Sequence, residues 1–494
     1  MTRHTTRTAR TAAGRALVVA ALAAAGAVAP VGARMAYAVA SPAGTAVATQ
    51  VRSGTPAGAV AQAAPRVAVL ATARNVSPHG PYTTTSDQCA GCHRAHTAKS
   101  SALLVDTAPQ SKLCFTCHDG TGSSLNVAAQ YTDPSVKTND PTTSSYYQHD
   151  ISKPTAHILA SGDEFGGVFN RHTECSDCHD PHQGSLVNAA GSPTGTPWTP
   201  SGRLSGTSGV AVTYSGPGAP SAYTFLDGGT QPITAEYQLC FKCHSGFTQL
   251  LPHDPAHPST DMLDAATEFN PASTSFHPVL APGTNQTAAM TASLAGDSPY
   301  KLWNFTVGST VRCTNCHASA ITMAGTTSHP ATNTPTADSD LPTHASSFRG
   351  VLIQNYQDRV LKTAADPYTA SDFALCYLCH TDSPFTADSG VAATNFTKGG
   401  KSLHYLHVSN IRGIGTPGTS IDQAAAGDGN ALCAECHFRI HSTATTAAQD
   451  ARLISFAPNV TAVSGSPVWT ATATGGSCAL VCHGTDHQSV TYGP

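Results

Sequence analysis

Charge is scarce in this chain: Asp, Glu, Lys and Arg make up 11% of 494 residues, and aromatic side chains 6%. Average soluble domains carry roughly 25% charge, so neither a highly charged disordered tail nor a basic nucleic-acid surface fits. The 26 basic and 30 acidic residues nearly balance, and an apolar fraction of 40% is modest for so long a chain. The 42 Gly and 33 Pro further argue against a single large conventional core. Something other than side chains must fill the interior. The first 88 residues hold no Cys, which excludes a lipid anchor on a Cys just after an export signal. After the N-terminal apolar run, no segment approaches the ~20 apolar residues a spanning helix needs.

The N-terminus carries Arg3, Arg7, Arg10 and Arg15 without any acid, then an apolar run from Ala16 to Ala29. Small-residue sites follow at Ala36-Tyr37-Ala38 and Ala38-Val39-Ala40. This pattern predicts a secretory signal over residues 1–40, with cleavage near Ser41; an uncut membrane anchor is the alternative, disfavoured by the shortness of the run. Losing residues 1–40 removes five Arg and no acid and takes the formal charge from −4 to −9. A mildly acidic mature chain disfavours nucleic acid as a partner. Residues 41–75, rich in Ala, Val, Thr, Pro and Gly without a sustained period, read as a flexible leader. The alternative is that Arg66 to Leu70 adds a strand to a neighbouring subunit.

What the chain has in abundance is 16 Cys and 24 His. Every Cys belongs to a pair followed directly by His. Seven pairs have two intervening residues: Cys89 and Cys92 with His93, Cys114 and Cys117 with His118, Cys175 and Cys178 with His179, Cys240 and Cys243 with His244, Cys313 and Cys316 with His317, Cys376 and Cys379 with His380, and Cys433 and Cys436 with His437. The eighth, Cys478 and Cys482 with His483, has three. C-x-x-C-H is the attachment signature of c-type haem. Two thiols must add to two vinyl groups on one porphyrin edge while the next residue turns an imidazole onto the iron. On a helical turn, positions i, i+3 and i+4 share a face. Chance placement of His after all eight pairs has a probability on the order of 10⁻¹¹. Zinc knuckles would explain the pairing and not the trailing His. Disulfides within each pair would close local rings that staple nothing. Eight haems c are expected, the eighth through a widened loop.

Leaving out His4 and the eight motif histidines, 15 imidazoles remain, enough to give every iron a second His. Iron with two His ligands exchanges electrons with little rearrangement, whereas a reductase needs an open distal position. The spare histidines therefore favour electron transfer over catalysis. His96, His182, His441 and His487 lie three or four residues past a motif His. A four-residue span reaches at most ~14 Å, too short to round the porphyrin edge, so each is expected on the next haem. Distal ligands are expected among His79, His96, His149, His182, His277, His344, His407 and His441, with His157, His172, His404 and His487 as further candidates. His253, His257 and His329, in Pro-rich polar surroundings, read as loop residues.

Four segments carry a resemblance: Ser77 to Leu103 with its CAGCHRAH core, Leu113 to Gly120, Arg171 to His182 and Leu239 to His244. They resemble the doubled C-x-x-C-H multihaem cytochromes and, more loosely, the extracellular cytochromes of metal-reducing bacteria, over most of residues 77–487. The resemblance implies that motif Cys and His bind haem, that extra His supply distal ligands, and that electrons are carried outside the cytoplasmic membrane. Some such relatives polymerise into filaments. The C-x-x-x-C-H ending departs from that pattern and puts the eighth haem in question.

Motif histidines step along the chain by 25, 61, 65, 73, 63, 57 and 46 residues, a rhythm of about one haem per 60 residues after a close first pair. The intervals are rich in Thr, Ser, Gly, Pro and Ala, so the expected fold is mostly irregular coil with short helices and a few short strands, wrapped around stacked haems. Residues 76–494 form this region, in paired-motif units of about 76–145, 146–260, 261–400 and 401–494. Val210 to Tyr214 and Tyr223 to Leu226 predict a small hairpin, and Val351 to Lys362 an amphipathic helix. The expected protein is an exported octahaem electron carrier, secreted or at the cell surface. Its expected partners are redox proteins or extracellular acceptors and donors, with self-assembly into filaments. The alternative is a reductase of a small nitrogen or sulfur oxyanion with one open-coordination haem.

Overall fold

The computed structural model describes residues 79, 88–106, 108–140, 145–153, 172–184, 196–248, 264–319, 342–388, 394–411, 429–442, 448–482, 484–488 and 490–493. The chain divides into units Met1–Arg66 and Val67–Pro494, and every described residue lies in the second. The signal, the whole of the leader, His157, His253, His257, His329 and His483 fall outside the described residues.

The described chain is mostly coil, as its composition leads one to expect. Its helices of seven or more residues are α1 (Ser111–His118), α2 (Glu236–His244), α3 (Ala288–Ala295) and α4 (Leu403–Ser409). α1 and α2 each end on a motif His. α3 and α4 start on side-chain caps, Thr287 accepting from the Met290 N–H and Ser402 from the Tyr405 N–H. Helices this short are marginal alone in water, so tertiary contacts hold them.

The expected hairpin is present as β1 (Gly209–Thr213) and β2 (Ala222–Leu226), antiparallel with Val210 opposite Phe225 and Val212 opposite Tyr223. Val210 is buried with Phe241, Ala266, Phe269 and Val279, which fixes the hairpin against α2. β3 (Thr397–Lys398) and β4 (Lys401–Ser402) form a tight turn leading into α4. At the C-terminus β5 (Val468–Ala471), β6 (Gly476–Ala479), β7 (Val481–Cys482), β8 (Thr485–Asp486) and β9 (Val490–Tyr492) make two small antiparallel sheets, β5-β6-β9 and β7-β8. Gly476 lies under the Trp469 ring, where a Cβ would collide with the indole.

The helix expected over Val351 to Lys362 does not form. A 3₁₀ turn at Arg349–Val351 holds Gly350 at φ 73° and Val351 at φ 53°, and the chain then runs irregularly. The Ile353 N–H is taken by the Cys316 carbonyl, a bond to the fifth motif that replaces a helical one. Ile353 and Leu361 are buried while Val360 is 58% exposed, so the apolar spacing serves a wrapped strap.

Apolar side chains form separate clusters, each incorporating motif cysteines. The largest, around Leu302, Ile353, Leu361, Tyr377 and Leu432, packs on Cys316, Cys376, Cys379 and Cys433. A second joins Leu403, Trp469, Leu480 and Tyr492 to Cys478 and Cys482. The third, beneath the hairpin, packs on Cys313. Among the described residues no helix is long and apolar enough to cross a membrane.

Candidate functional site: the cysteine motifs and their histidines

Each C-x-x-C-H motif makes a helical turn. The 3₁₀ turns Cys89–Gly91 and Cys313–Asn315 and the one-turn helices Cys175–Cys178 and Cys433–Cys436 are built on the motifs themselves. The motif N–H of His93, His179, His317, His380 and His437 donates to the carbonyl of the first Cys at 2.8 to 3.0 Å. This bond brings both sulfurs and the imidazole to one side. The fourth motif gets the same arrangement from α2, which carries Cys240 and Cys243 one turn apart and ends on His244. Cys243 is half-buried, and its carbonyl accepts from the Thr248 hydroxyl at 3.2 Å, which closes the C-terminal end of that helix. In three motifs the residue before the second Cys caps its own turn. Asp177, Asn315 and Glu435 accept from the backbone N–H of Glu174, Arg312 and Leu432 at 2.6, 2.7 and 3.0 Å. Sequence reasoning passed over these residues, although a polar side chain three positions past the N-cap was the available signal.

Consecutive motifs are bonded to one another. Gln110, just before α1, donates to the Ser176 hydroxyl and accepts from the Ser176 N–H, at 2.8 and 2.7 Å, tying the second motif to the third. The buried Lys242 ammonium of the fourth motif donates to the Asp177 carbonyl of the third at 2.6 Å. Glu236 at the head of α2 accepts from the Thr314 hydroxyl at 3.0 Å and faces Arg312 at 3.7 Å, joining fourth to fifth.

The thiols follow the same order. Cys114 and Cys175 share a hydrogen bond that holds the pKa of the first below the usual thiol value and pushes that of the second above it. Cys240 and Cys313 are bonded likewise, which with burial pushes Cys240 up. Cys376 and Cys433 form the third such pair. Electrostatic coupling links Cys92 to Cys117, Cys178 to Cys240, Cys316 to Cys376 and Cys379, and Cys436 to Cys478. Neighbours in sequence are neighbours in space, from the first motif to the eighth.

Second imidazoles stand opposite the motif histidines. Ring centroids are 6.1 Å apart for His93 and His182, 6.0 Å for His118 and His79, and 6.2 Å for His179 and His344. They are 6.2 Å apart for His244 and His149, and 5.8 Å for His317 and His441. His380 couples electrostatically to His277, and His404 to His437. Two imidazoles on opposite sides of one metal, with bonds of about 2.0 Å and ring centres about 1.1 Å behind the nitrogens, would have centroids about 6.2 Å apart. The five ring pairs with centroids 5.8 to 6.2 Å apart fit a six-coordinate iron between them.

Their second nitrogens are anchored as axial ligands require. Nδ1 of His93, His118, His179, His317 and His437 donates to the carbonyls of Ala102, Leu125, Arg203, Gly350 and Leu453, at 2.7 to 3.2 Å. Among the opposing rings, Nδ1 of His79 donates to the Pro181 carbonyl at 3.0 Å, His149 to Thr343 at 2.6 Å, and His344 to the Gln130 amide oxygen at 2.9 Å. Nδ1 of His277 bonds the Ile440 carbonyl, and that of His441 donates to the Glu268 carboxylate at 2.8 Å. Burial pushes His317 and His380 down to about 4, and His344 and His404 down to about 3. Neutral imidazole, the ligating form, is thereby held ready.

The sequence candidates are placed unevenly. His182 and His441 face motif histidines two motifs upstream, where the short span past their own motif had pointed to the next haem. The reason is that the neighbouring motif lies thiol to thiol with their own, so the chain leaving it passes on to the one beyond. His96 stays exposed in the turn after the first motif, and among the described residues no ring faces it. His172 is buried ahead of the third motif. His404 packs edge-on against Phe385 and Phe396, each at 5.1 Å. His407 faces His487 at 6.3 Å. Among the described residues no group of three or more His, Cys, Asp or Glu could hold a metal ion directly.

No curated protein and no solved structure matches this chain. A family model described as the doubled CXXCH motif matches residues 79–123, which span the first two motifs. That match, with five further pairs repeating the pattern and an eighth, widened one, supports reading the chain as a multihaem c-type cytochrome that carries electrons.

Proposed function

We propose that this chain is an exported octahaem c-type cytochrome whose haems stand in single file in chain order and pass electrons between redox proteins or extracellular acceptors and donors. The observation that carries the proposal is the succession of thiol neighbours linking every motif to the next. Bound haem supplies a reversible one-electron couple at each station. The chain's own residues do the rest. Each Cys pair would offer two sulfurs for thioether links, and in the seven C-x-x-C-H motifs the trailing His would offer a nitrogen to the iron. The opposing imidazole is His182 for the first motif, His79 for the second, His344 for the third, His149 for the fourth and His441 for the fifth; His277 and His404 are the candidates for the sixth and seventh.

Gln110, Lys242 and Glu236 lock adjacent motifs together, and this fixes the spacing on which transfer depends. Buried, neutral histidines with anchored Nδ1 need little rearrangement when the iron changes charge. The export signal and the resemblance to extracellular cytochromes support a secreted or cell-surface location, and self-assembly into filaments is part of the same reading. Intact mass and haem absorption should give eight haems per chain, all low-spin in magnetic resonance; fewer than eight would overturn the octahaem reading. Electron microscopy of secreted protein tests the filament.

A further inference from the structure

The eighth motif departs from the others in structure as well as in spacing. Cys478 lies on β6 opposite Trp469 and Val490, and Cys482 lies on β7 opposite Thr485. Neither sits on a helical turn. On an extended strand successive residues face opposite ways, so the helical reason for putting the ligating imidazole directly after the second Cys is lost.

Another imidazole is delivered to this Cys pair. β7 and β8 are joined by a two-residue connection in which Gly484 adopts φ 73°, and the returning strand ends just before His487. The His487 N–H donates to the carbonyl of Leu480, midway between the two cysteines, at 2.8 Å. Nδ1 of His487 bonds the Tyr492 hydroxyl at 3.2 Å, and Tyr492 is itself bonded to the Cys478 thiol. Backbone and side chain both fix His487 beside the sulfurs.

His407 completes the arrangement from α4. Its ring centroid is 6.3 Å from that of His487, the separation found for the other imidazole pairs. Its Nδ1 donates to the Leu403 carbonyl at 2.6 Å. Phe396 lies against His407 at 5.4 Å and against Tyr492 at 5.0 Å, an apolar wall beside the pair. Spacing, anchored Nδ1 and an adjacent Cys pair therefore recur here, on a residue outside the C-H adjacency.

We infer that the iron of the eighth haem is held between His407 and His487, and that the imidazole following Cys482 is not its ligand. The inference rests on the octahaem reading. The sheet supplies its own ligand, and the widened Cys spacing follows from attaching a macrocycle to strands.

The test uses full-length holoprotein, with intact mass to count haems and electron paramagnetic resonance to count high-spin irons. Wild-type protein should carry eight low-spin haems. His487→Ala and His407→Ala, which leave the Cys-His attachment motif intact, should each keep eight haems and turn one of them high-spin and cyanide-binding. His487→Met should keep that iron low-spin and raise one potential, since Met in place of His raises it. Eight haems that all stay low-spin in either Ala variant would overturn the assignment while leaving the octahaem reading intact. Seven haems in the wild type would overturn both.

Discussion

Replacing Glu268 by Gln should raise the potential of one haem and leave the others in place. Glu268 is 5% exposed at the end of the one-turn helix Ala265–Glu268, and its carboxylate accepts from Nδ1 of His441 at 2.8 Å. His441 in turn faces His317, so the carboxylate would act on a haem held at the fifth motif. Across the imidazole, the anion lies about 7 Å from the metal position, and at an effective dielectric constant of about 20 their interaction is about 2.4 kcal/mol. A one-electron couple moves by about 59 mV per tenfold change, or per 1.36 kcal/mol, which sets an upper bound of about 100 mV. Part of the His441 side chain reaches solvent, and screening lowers this to about 50 to 100 mV.

The sign follows from charge: an anion on the axial ligand stabilises ferric iron, so its removal drives the potential upward. Gln keeps an acceptor for Nδ1 and nearly the same volume, so ligation should survive. Spectroelectrochemical titration of wild type and Glu268→Gln, with haem count and spin state checked on the same samples, measures the difference. Unchanged potentials, or a fall, in a variant that retains every low-spin haem would refute the electrostatic argument.

Acid should detach axial ligands cooperatively. His317 and His380 are pushed to about 4, and His344 and His404 to about 3, all below the ordinary value near 6.5. Their contribution is therefore complete above about pH 6.5 and declines by about 1.4 kcal/mol per pH unit for each group as pH falls toward the folded values. A low-spin to high-spin transition should appear near pH 4 and be absent at pH 6, as followed by absorption. Glu435→Ala removes a fully buried cap on the seventh motif and its bond from Asn459, and should cost about 2 kcal/mol, read as a lower denaturant midpoint. Gly476→Ala forces a methyl into the Trp469 ring and should cost about 1 to 3 kcal/mol, with the spectral change confined to the last haem.

Much of the site was legible in the one-dimensional chain because its chemistry is local. The pairing of sulfurs, the trailing imidazole and the surplus of histidines are all spacings of a few residues, which a single helical turn converts directly into geometry. The hairpin at Gly209–Leu226 was legible for the same reason, its two β-rich runs being separated by Gly and Pro. The strap at Val351 to Lys362 was misread because its apolar period matches a helix, while the Cys316 carbonyl that claims its backbone lies dozens of residues away.

The sequence by itself therefore determined the eight paired-thiol stations, their number and the local turn that builds seven of them. Only the tertiary structure decided which distant imidazole meets which motif, joining His344 to His179 and His441 to His317 across long stretches of chain. The physical reason is that an axial pair is closed from two sides. One side is set by the turn that carries the sulfurs, and the other by whatever segment packs across from it, for which no local spacing exists.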